Sequence, residues 1–149
     1  MSNERLMGSA LKIGPLIGRV KRKMHKRMSD LLKPYGITPE QRAILLTLIE
    51  KGPMTQAQLC ELTSTEPSNL STTLKRLLQK EYILKVDHPE DPRAYLIKAS
   101  KKTKEAAQEL AALSAFIDER LIKGIEPEMF TAAVKVLETI DKNLDDLSL

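Results

Sequence analysis

Apolar residues recur every three or four positions through most of this 149-residue chain, and only residues 82–98 are rich instead in residues that favour strands. A spacing of three or four residues predicts amphipathic helices. The helical segments predicted in this way are residues 11–35, 39–51, 55–62, 66–79, 100–123 and 127–147. The pattern therefore predicts a mainly α fold with one small β-hairpin (α+β).

The most informative stretch is residues 55–79, which has the pattern of two short helices joined by a tight polar turn. Thr55 is a good N-cap, and Gln58 completes a capping box with it. The turn, residues 63–65, carries three hydroxyl groups that compete for backbone hydrogen bonds and disfavour continuation of the helix. Pro67 begins the second helix, because proline is tolerated in a first turn. This stretch predicts a helix-turn-helix.

The second of these helices has a narrow apolar stripe, formed by Leu70, Leu74 and Leu77, and a polar opposite side. Short hydrogen-bonding side chains and two cations, with no acid after Glu66, suit base edges and phosphates in a DNA major groove. The predicted DNA-binding residues of this helix are Ser68, Asn69, Ser71, Thr72, Lys75 and Arg76. A polar surface helix without a ligand is the alternative interpretation.

Two strand-like segments, residues 82–86 and 94–98, enclose a charged loop with two prolines. This predicts a β-hairpin with a long tip, and a hairpin directly after a helix-turn-helix predicts a winged helix. Arg93 is the only cation of the tip, and a minor groove attracts an inserted arginine. Asp91 lies on the same side of an extended chain, so it is predicted to hold the Arg93 guanidinium in position. The alternative is an exposed ion pair that contributes little.

The first helix, residues 11–35, has an apolar stripe and a densely basic run at residues 19–27. Pro15 lies either in its first turn or inside a helix that begins earlier. The basic run is interpreted as a solvated face, a phosphate contact or the rim of a dimer interface, and the pattern does not choose among them. The next helix has Thr38 as N-cap and Gln41 as capping-box partner. The predicted stripe of the first helix is Ile13, Leu16, Ile17, Val20, Met24, Met28, Leu31 and Tyr35.

Charge is unevenly distributed along the chain. Residues 105–149 hold ten acids and four bases, a balance of −6, whereas residues 1–104 hold ten acids and twenty bases, a balance of +10, which recovers the net charge of +4. A positive amino-terminal two-thirds beside a negative carboxy-terminal segment predicts a polyanion site confined to one part of the molecule.

Composition argues against several classes of function. A single cysteine gives no disulfide framework, and neither a membrane span nor the apolar segment of a secretory signal is recognised, so a cytoplasmic location is predicted. Cys60 is interpreted as a small core residue. One cysteine and two histidines argue against a dedicated metal sensor. Without a phosphate-binding glycine loop or a nucleophile–base pair, the chain is not predicted to be an enzyme or to need a cofactor.

The last two helices have more apolar surface than a small winged-helix domain needs, so a symmetric homodimer is predicted to bury the excess. Residues 1–36 are predicted as an N-terminal helix of the dimerisation region. Residues 37–99 form the predicted winged helix-turn-helix, and residues 100–149 form the predicted C-terminal dimerisation helices.

Three motifs together resemble the MarR family of bacterial and archaeal transcription regulators. They are Ile-Thr-Pro-Glu-Gln at residues 37–41, Glu-Pro-Ser-Asn-Leu at 66–70 and the more specific Asp-Pro-Arg at 91–93. The resemblance implies a homodimeric winged helix that represses genes from a pseudo-palindromic operator and is released by a small phenolic or other organic effector. The chain departs from the family pattern at Glu81, where a glycine usually follows the recognition helix, and at residues 99–103, which replace the usual Leu-Thr-Glu-x-Gly.

Two functions remain open: a sequence-specific DNA-binding regulator and a winged-helix protein-interaction module. An acidic protein partner would need arginine and lysine across residues 68–72, where this sequence has hydroxyl and amide side chains. Double-stranded DNA is therefore the predicted partner, together with a second copy of the chain.

Overall fold

The computed structural model describes the backbone of residues 4–148 and the side chains of residues 8, 9 and 12–148. The ends of the predicted regions, residues 1–3 and 149, lie outside this part. The described elements are α1 (Glu4–Leu32), α2 (Pro39–Lys51), α3 (Gln56–Thr63), α4 (Pro67–Gln79), β1 (Ile83–Asp87), β2 (Tyr95–Ala99), α5 (Lys101–Leu121) and α6 (Pro127–Asp145). The predicted mainly α fold with one antiparallel hairpin is confirmed. Within the described part, no helix is both long and apolar enough to cross a membrane.

The chain forms two compact units, residues 1–113 and residues 114–149, and the division falls inside α5. The first unit contains α1 to α4, the hairpin and the start of α5. The second contains the end of α5 and all of α6. The predicted limits of the dimerisation and DNA-binding regions concern function, and they stay predictions.

Helix α1 begins before the predicted segment, so Pro15 lies inside the helix rather than in its first turn. It ends at Leu32, and a 3₁₀ turn over Lys33–Tyr35 follows. Gly36 then adopts φ +64°, and its amide donates to the Lys33 carbonyl at 3.0 Å. Glycine suits this left-handed conformation because it has no Cβ. The chain thereby turns from α1 into α2.

No residue of the predicted apolar stripe of α1 is fully buried. Met28, Leu31 and Tyr35 are half-buried, with Met28 and Tyr35 packed against the core, and Leu32, outside the predicted stripe, is fully buried. Toward the N-terminus the stripe is exposed by 41–49% at Leu16, Ile17, Val20 and Met24. The core of the first unit therefore does not account for this apolar surface.

Helix α2 begins with the predicted capping box. The Thr38 hydroxyl accepts from the Gln41 amide at 3.1 Å, and the Gln41 side chain accepts from the Thr38 amide at 3.0 Å. The helix is buried through Ile44, Leu45 and Leu48, whereas Ala43, which lies beside them in the same apolar run, is exposed. A small side chain can fit the helix pattern and still face solvent, because alanine is a good helix former anywhere.

The core of the first unit is almost entirely aliphatic, consistent with an aromatic content of only 3%. Its fully buried polar member, Thr103, donates a hydrogen bond to the Tyr82 carbonyl at 2.5 Å. Arg42 is also buried, and its Nε donates to the Leu110 carbonyl at 2.9 Å, which fastens α2 to α5. The buried apolar side chains are Leu32, Ile37, Ile44, Leu45, Leu48, Met54, Leu59, Leu70, Leu74, Leu77, Tyr82, Ile83, Ile97, Ala99 and Leu110.

The second unit buries no side chain of α6 fully. Its apolar residues keep 39–66% of their surface exposed, except Ile140, which is half-buried. These exposed residues of α6 are Met129, Phe130, Val134, Val136, Leu137 and Leu144. An apolar face of this size is unusual for a monomer and is typical of an interface.

Candidate nucleic-acid interface

The turn between α3 and α4 is set by backbone geometry at Ser64. This residue has φ +49°, and its amide donates to the Glu61 carbonyl at 3.4 Å. The next amide, of Thr65, donates to the Cys60 carbonyl at 3.1 Å. These two bonds form a Schellman-type end to α3. The predicted polar turn is therefore observed, with Thr63 as the last residue of the helix.

Helix α4 is anchored through the three leucines that the sequence predicted. Leu70, Leu74 and Leu77 are at most 2% exposed. Pro67 is the first helical residue, and Glu66 occupies the N-cap without a side-chain capping bond. Since the leucines fix one side of the helix in the core, the opposite side is held outward.

The outward side of α4 presents the predicted DNA-binding residues. Asn69, Lys75 and Arg76 are exposed, and within residues 4–148 their side chains form no hydrogen bond or ion pair. Thr72 is exposed and donates its hydroxyl to the Ser68 carbonyl at 3.2 Å, which leaves the oxygen available as an acceptor. Ser71 is half-buried and Ser68 exposed. The face offers amide and hydroxyl groups together with two unpaired cations.

Glu81 has φ +61°, the left-handed conformation that favours glycine. Its amide donates to the Leu78 carbonyl and the Tyr82 amide donates to the Leu77 carbonyl, both at 3.0 Å, so α4 ends in a Schellman motif. The sequence departs from the family pattern at this residue, yet the helix exit that a glycine would provide is formed. Glutamate occupies it at a conformational cost, because its Cβ crowds the backbone.

Two lysines that the sequence did not single out hold the end of α4. Lys80 donates its ammonium to the Gly36 carbonyl. Lys102, at the start of α5, donates to the Lys80 carbonyl at 3.0 Å and lies 4.0 Å from the centroid of the Tyr82 ring. For Lys102 the only signal was the basic sequence at residues 99–103, and Lys80 had none, because the partners of both lysines are far away in the chain.

The hairpin has the predicted position, shifted by one residue, since β1 and β2 begin at Ile83 and Tyr95 rather than at residues 82 and 94. The register pairs Ile83 with Ala99 and Asp87 with Tyr95. Met54 adds an antiparallel bridge to Ile97, with backbone hydrogen bonds of 3.1 and 2.7 Å, which the sequence did not indicate. This bridge ties the base of the wing to the segment before α3.

The tip of the wing corrects one predicted contact. Asp91 Oδ1 accepts from the backbone amide of Arg93 at 2.9 Å, and no ion pair joins the two side chains within residues 4–148. The prediction assumed an extended chain, but residues 92 and 93 form a turn, and Ala94 donates its amide to the Asp91 carbonyl at 3.2 Å. In a turn the carboxylate of aspartate reaches the amide two residues later. Arg93 remains exposed.

Polar contacts brace α1 and the turn after it against α2 and α5. His25 Nε2 lies 2.7 Å from Glu40 Oε1. Burial raises the pKa of the Glu40 carboxyl, but hydrogen bonds from its own amide and from His25 outweigh burial and leave the pKa lowered. The Tyr35 hydroxyl donates to Glu109 at 2.8 Å, which raises the pKa of Tyr35. Tyr82, whose pKa burial raises, donates to the Tyr35 carbonyl.

A cavity of about 360 Å³ lies in the first unit, between the end of α2, the end of β2 and the start of α5. Its walls are mainly apolar, and two lysines, Lys98 and Lys104, are among the residues that line it. Its lining residues are Leu48, Ile49, Gly52, Pro53, Lys98, Ala99, Lys104 and Ala107. The interpretation of Cys60 as a core residue agrees with its partly buried position against the core.

An anchored polar helix, a hairpin directly after it and flanking helices define a winged helix-turn-helix protein. The sequence matches the family model described as "MarR family" over residues 37–95. The multiple antibiotic resistance protein MarR of Salmonella typhimurium is 30% identical over 97 residues, which cover 65% of this chain and 67% of that protein. The chain therefore belongs to the MarR family, and it is a DNA-binding transcription regulator.

Two further proteins show the same likeness. An uncharacterised HTH-type transcriptional regulator, YwoH of Bacillus subtilis, is 25% identical over 112 residues, which cover 75% of this chain and 81% of that protein. The crystal structure of a mutant MarR from E. coli, complexed with operator DNA, has a TM-score of 0.81 at 20% identity and covers 91% of this chain and 97% of that one. At this identity the structural likeness shows the fold.

Proposed function

We propose that the protein is a homodimeric, ligand-responsive repressor that binds a pseudo-palindromic operator through α4 and the wing. The observation that carries this proposal is the outward face of α4, where amide, hydroxyl and cationic groups stand without acidic neighbours on a helix anchored by Leu70, Leu74 and Leu77. The operator complex of the structurally similar E. coli MarR supports the assignment.

Each predicted residue has a role in this proposal. Asn69 and Thr72, with Ser68 and Ser71 beside them, read base edges, because amides and hydroxyls both donate to and accept from bases. Lys75 and Arg76 bind backbone phosphates and supply the salt-dependent part of the affinity. Arg93 enters the adjacent minor groove from the wing, and Asp91 holds the Arg93 backbone.

The exposed apolar faces support a homodimer. In α1, Leu16, Val20 and Met24 are at least 41% exposed, and α6 exposes an apolar face along its whole length. Each face has charged neighbours of opposite sign, since residues 19–27 are basic and residues 105–149 carry a net charge of −6. A symmetric dimer would bury both faces and would place two recognition helices about one turn of DNA apart.

The cavity beside Lys98 and Lys104 supports an effector site. Its apolar walls and two lining lysines suit a small organic anion with an aromatic or aliphatic body, the class to which phenolates and aromatic carboxylates belong. Because its walls come from α2, β2 and α5, an occupant would alter the packing of the wing's second strand on the helices beside it. Differential affinity for two such arrangements is what couples a ligand to DNA release.

The test of the proposal is selection of bound sequences from random duplex DNA, followed by titration of the selected duplex in fluorescence anisotropy. A palindromic consensus with half-sites about 10 bp apart is expected. A protein-interaction module would yield no consensus and only weak, salt-sensitive binding. Benzoate, a simple aromatic anion, should lower the affinity of the wild type, and Lys98→Ala with Lys104→Ala should blunt that effect. Lys101→Ala is the control, because Lys101 lies between these two lysines in the sequence but does not line the cavity.

A further inference from the structure

His88 lies where β1 passes into the tip of the wing, and its ring organises the backbone there. Its Nδ1 accepts hydrogen bonds from the amides of Glu90 and Asp91, each at 3.1 Å. A ring nitrogen that accepts a hydrogen bond carries a lone pair, so these two contacts require the tautomer that bears its proton on Nε2. The side chain is half-buried rather than fully exposed.

The two amides held by His88 belong to a chain of contacts that ends at Arg93. Asp91, whose amide His88 binds, accepts the Arg93 amide on its carboxylate at 2.9 Å. Asp91 also accepts the Ala94 amide on its carbonyl at 3.2 Å, and the His88 amide donates to the Ala94 carbonyl at 3.2 Å. The tip is therefore closed from residue 88 to residue 94, and the backbone of Arg93 is fixed within it.

We infer that neutral His88 is a positioning residue for Arg93, and that protonation of its ring loosens the wing and weakens binding to DNA. This inference rests on the proposed role of the wing in the minor groove. A protonated imidazole has no acceptor, so the Glu90 and Asp91 amides would both lose their partner. Histidine as a residue type changes charge between about pH 5 and 8, so binding is compared near these two limits.

Simple electrostatics predicts the opposite effect of His88 protonation on DNA affinity. An imidazolium in the wing would add a positive charge near DNA phosphates and should strengthen binding. Loss of the two hydrogen bonds to His88 Nδ1 opposes this effect, because it frees the backbone that carries Arg93. The arginine must then be ordered during binding at an entropic cost. The other titratable and charged groups of the hairpin around the tip are Lys85, Asp87, Glu90, Asp91, Arg93 and Tyr95.

The experiment compares substitutions at His88 by their affinity for the selected operator at pH 8.0 and pH 5.5. His88→Asn places an amide oxygen near the position of Nδ1 and does not titrate. It should therefore keep the hydrogen bonds from the Glu90 and Asp91 amides at both pH values. His88→Ala and His88→Gln should bind about tenfold more weakly at pH 8.0, the factor expected from losing about one net hydrogen bond. At pH 5.5 the wild type should bind more weakly than His88→Asn, by a factor no greater than this one. His25→Asn removes the only other histidine and should keep the wild-type pH profile.

A second measurement needs no DNA. In ¹⁵N NMR spectra of the free protein, the Glu90 and Asp91 amides should shift and exchange faster with the same midpoint as the His88 ring, and His88→Asn should abolish this transition. Amides that ignore the ring's titration would overturn the inference, as would equal pH profiles for the wild type and His88→Asn. Arg93→Ala separates the two proposals. If it leaves affinity unchanged, the proposed role of the wing is wrong and this inference falls with it. If Arg93→Ala weakens binding while His88→Asn changes no profile, only the role of His88 is wrong.

Discussion

Asp91 accepts a hydrogen bond from the backbone amide of Arg93 at 2.9 Å, and it does so instead of pairing with the Arg93 guanidinium. The carboxylate therefore fixes the backbone of Arg93 and leaves its guanidinium available. This relationship changes what substitutions at Asp91 should do, because an amide oxygen can accept the same backbone hydrogen bond.

The first prediction separates the acceptor of Asp91 from its charge. Asp91→Asn keeps an oxygen acceptor and removes a negative charge near phosphates, so operator affinity should be equal to or greater than that of the wild type. Asp91→Ala loses the acceptor and should bind more weakly, by about 0.5–1.5 kcal/mol. Fluorescence anisotropy on the selected duplex measures both. Equal losses for the two variants would show that the charge of Asp91, rather than its backbone hydrogen bond, supports the wing.

The second prediction concerns Glu81 and its φ of +61°. Glu81→Gly should raise the free energy of unfolding by about 0.5–1 kcal/mol, because the relief of a left-handed side chain exceeds the extra entropy of glycine in the unfolded chain. Glu81→Ala is the matched control, since it removes the same charge and keeps the Cβ. Urea unfolding at one fixed protein concentration measures the difference. A glycine variant no more stable than the alanine variant would contradict the argument.

Whether a contact could be predicted from the sequence depended on how far apart its two residues lie along the chain. The capping boxes of Thr38 with Gln41 and of Thr55 with Gln58 join residues three apart, and both are formed as predicted. The leucines of α4 follow from helical periodicity alone. By contrast, Arg42 binds the Leu110 carbonyl 68 residues away, and no local pattern indicates that pairing.

The candidate site shows the same limit. The residues that face outward on α4 could be predicted, because three buried leucines fix the orientation of the helix. The contact of Asp91 was predicted wrongly, because the extended-chain assumption fails in a turn that two prolines help to shape. The role of His88 had no sequence signal, since a histidine at a loop gives no indication of which ring nitrogen accepts which amide.

The third prediction uses the lowered pKa of Glu40. A carboxyl whose folded pKa lies below its unfolded value, about 4.3 for glutamate, stabilises the fold above that value and loses the contribution as the pH falls through the folded pKa. Glu40→Gln should therefore destabilise the protein at pH 7, and the difference should disappear once the pH is low enough to protonate Glu40 in the folded protein. The loss should be at most about 1 kcal/mol, because the His25–Glu40 pair is largely exposed.

Urea unfolding at a series of pH values from 7 downward checks this dependence. Glu50→Gln at the other end of α2 is the control, because a negative charge near a helix C-terminus is unfavourable and its removal should not weaken the fold. A stability difference between wild type and Glu40→Gln that stays constant through the acidic end of the series would assign the effect to packing rather than to the ionised carboxylate.

The fourth prediction tests the homodimer. Leu137 is 47% exposed on α6, and Leu137→Asp should place two charges in the symmetric interface and cost at least about 3 kcal/mol of association. Lys135→Asp changes the same helix on its polar side and should remain dimeric. Analytical ultracentrifugation at micromolar concentration distinguishes them. A chain ending at Lys123 should also fail to dimerise or to fold, and a stable dimer of that length would exclude α6 as the interface.

The fifth prediction separates affinity from specificity on α4. Lys75→Ala should weaken binding to all duplexes by a similar factor and reduce the slope of log affinity against log salt by about one for each protomer, because a phosphate contact carries no sequence information. Asn69→Ala should instead cost about 1–3 kcal/mol on the selected operator and change which bases are preferred, because a bidentate amide discriminates between base edges.

The two variants must be compared across a panel of single-base changes at several salt concentrations. Lys51→Ala removes another exposed cation, from the far end of α2, and should leave both the slope and the base preference unchanged. In the proposed arrangement, Asn69 lies in the first turn of the helix, where recognition helices contact base edges, and Lys75 lies nearly two turns later, nearer the backbone. If Asn69→Ala and Lys75→Ala scaled affinity evenly for every duplex, neither would touch a base, and the reading of sequence would have to lie in the wing or in the shape of the DNA.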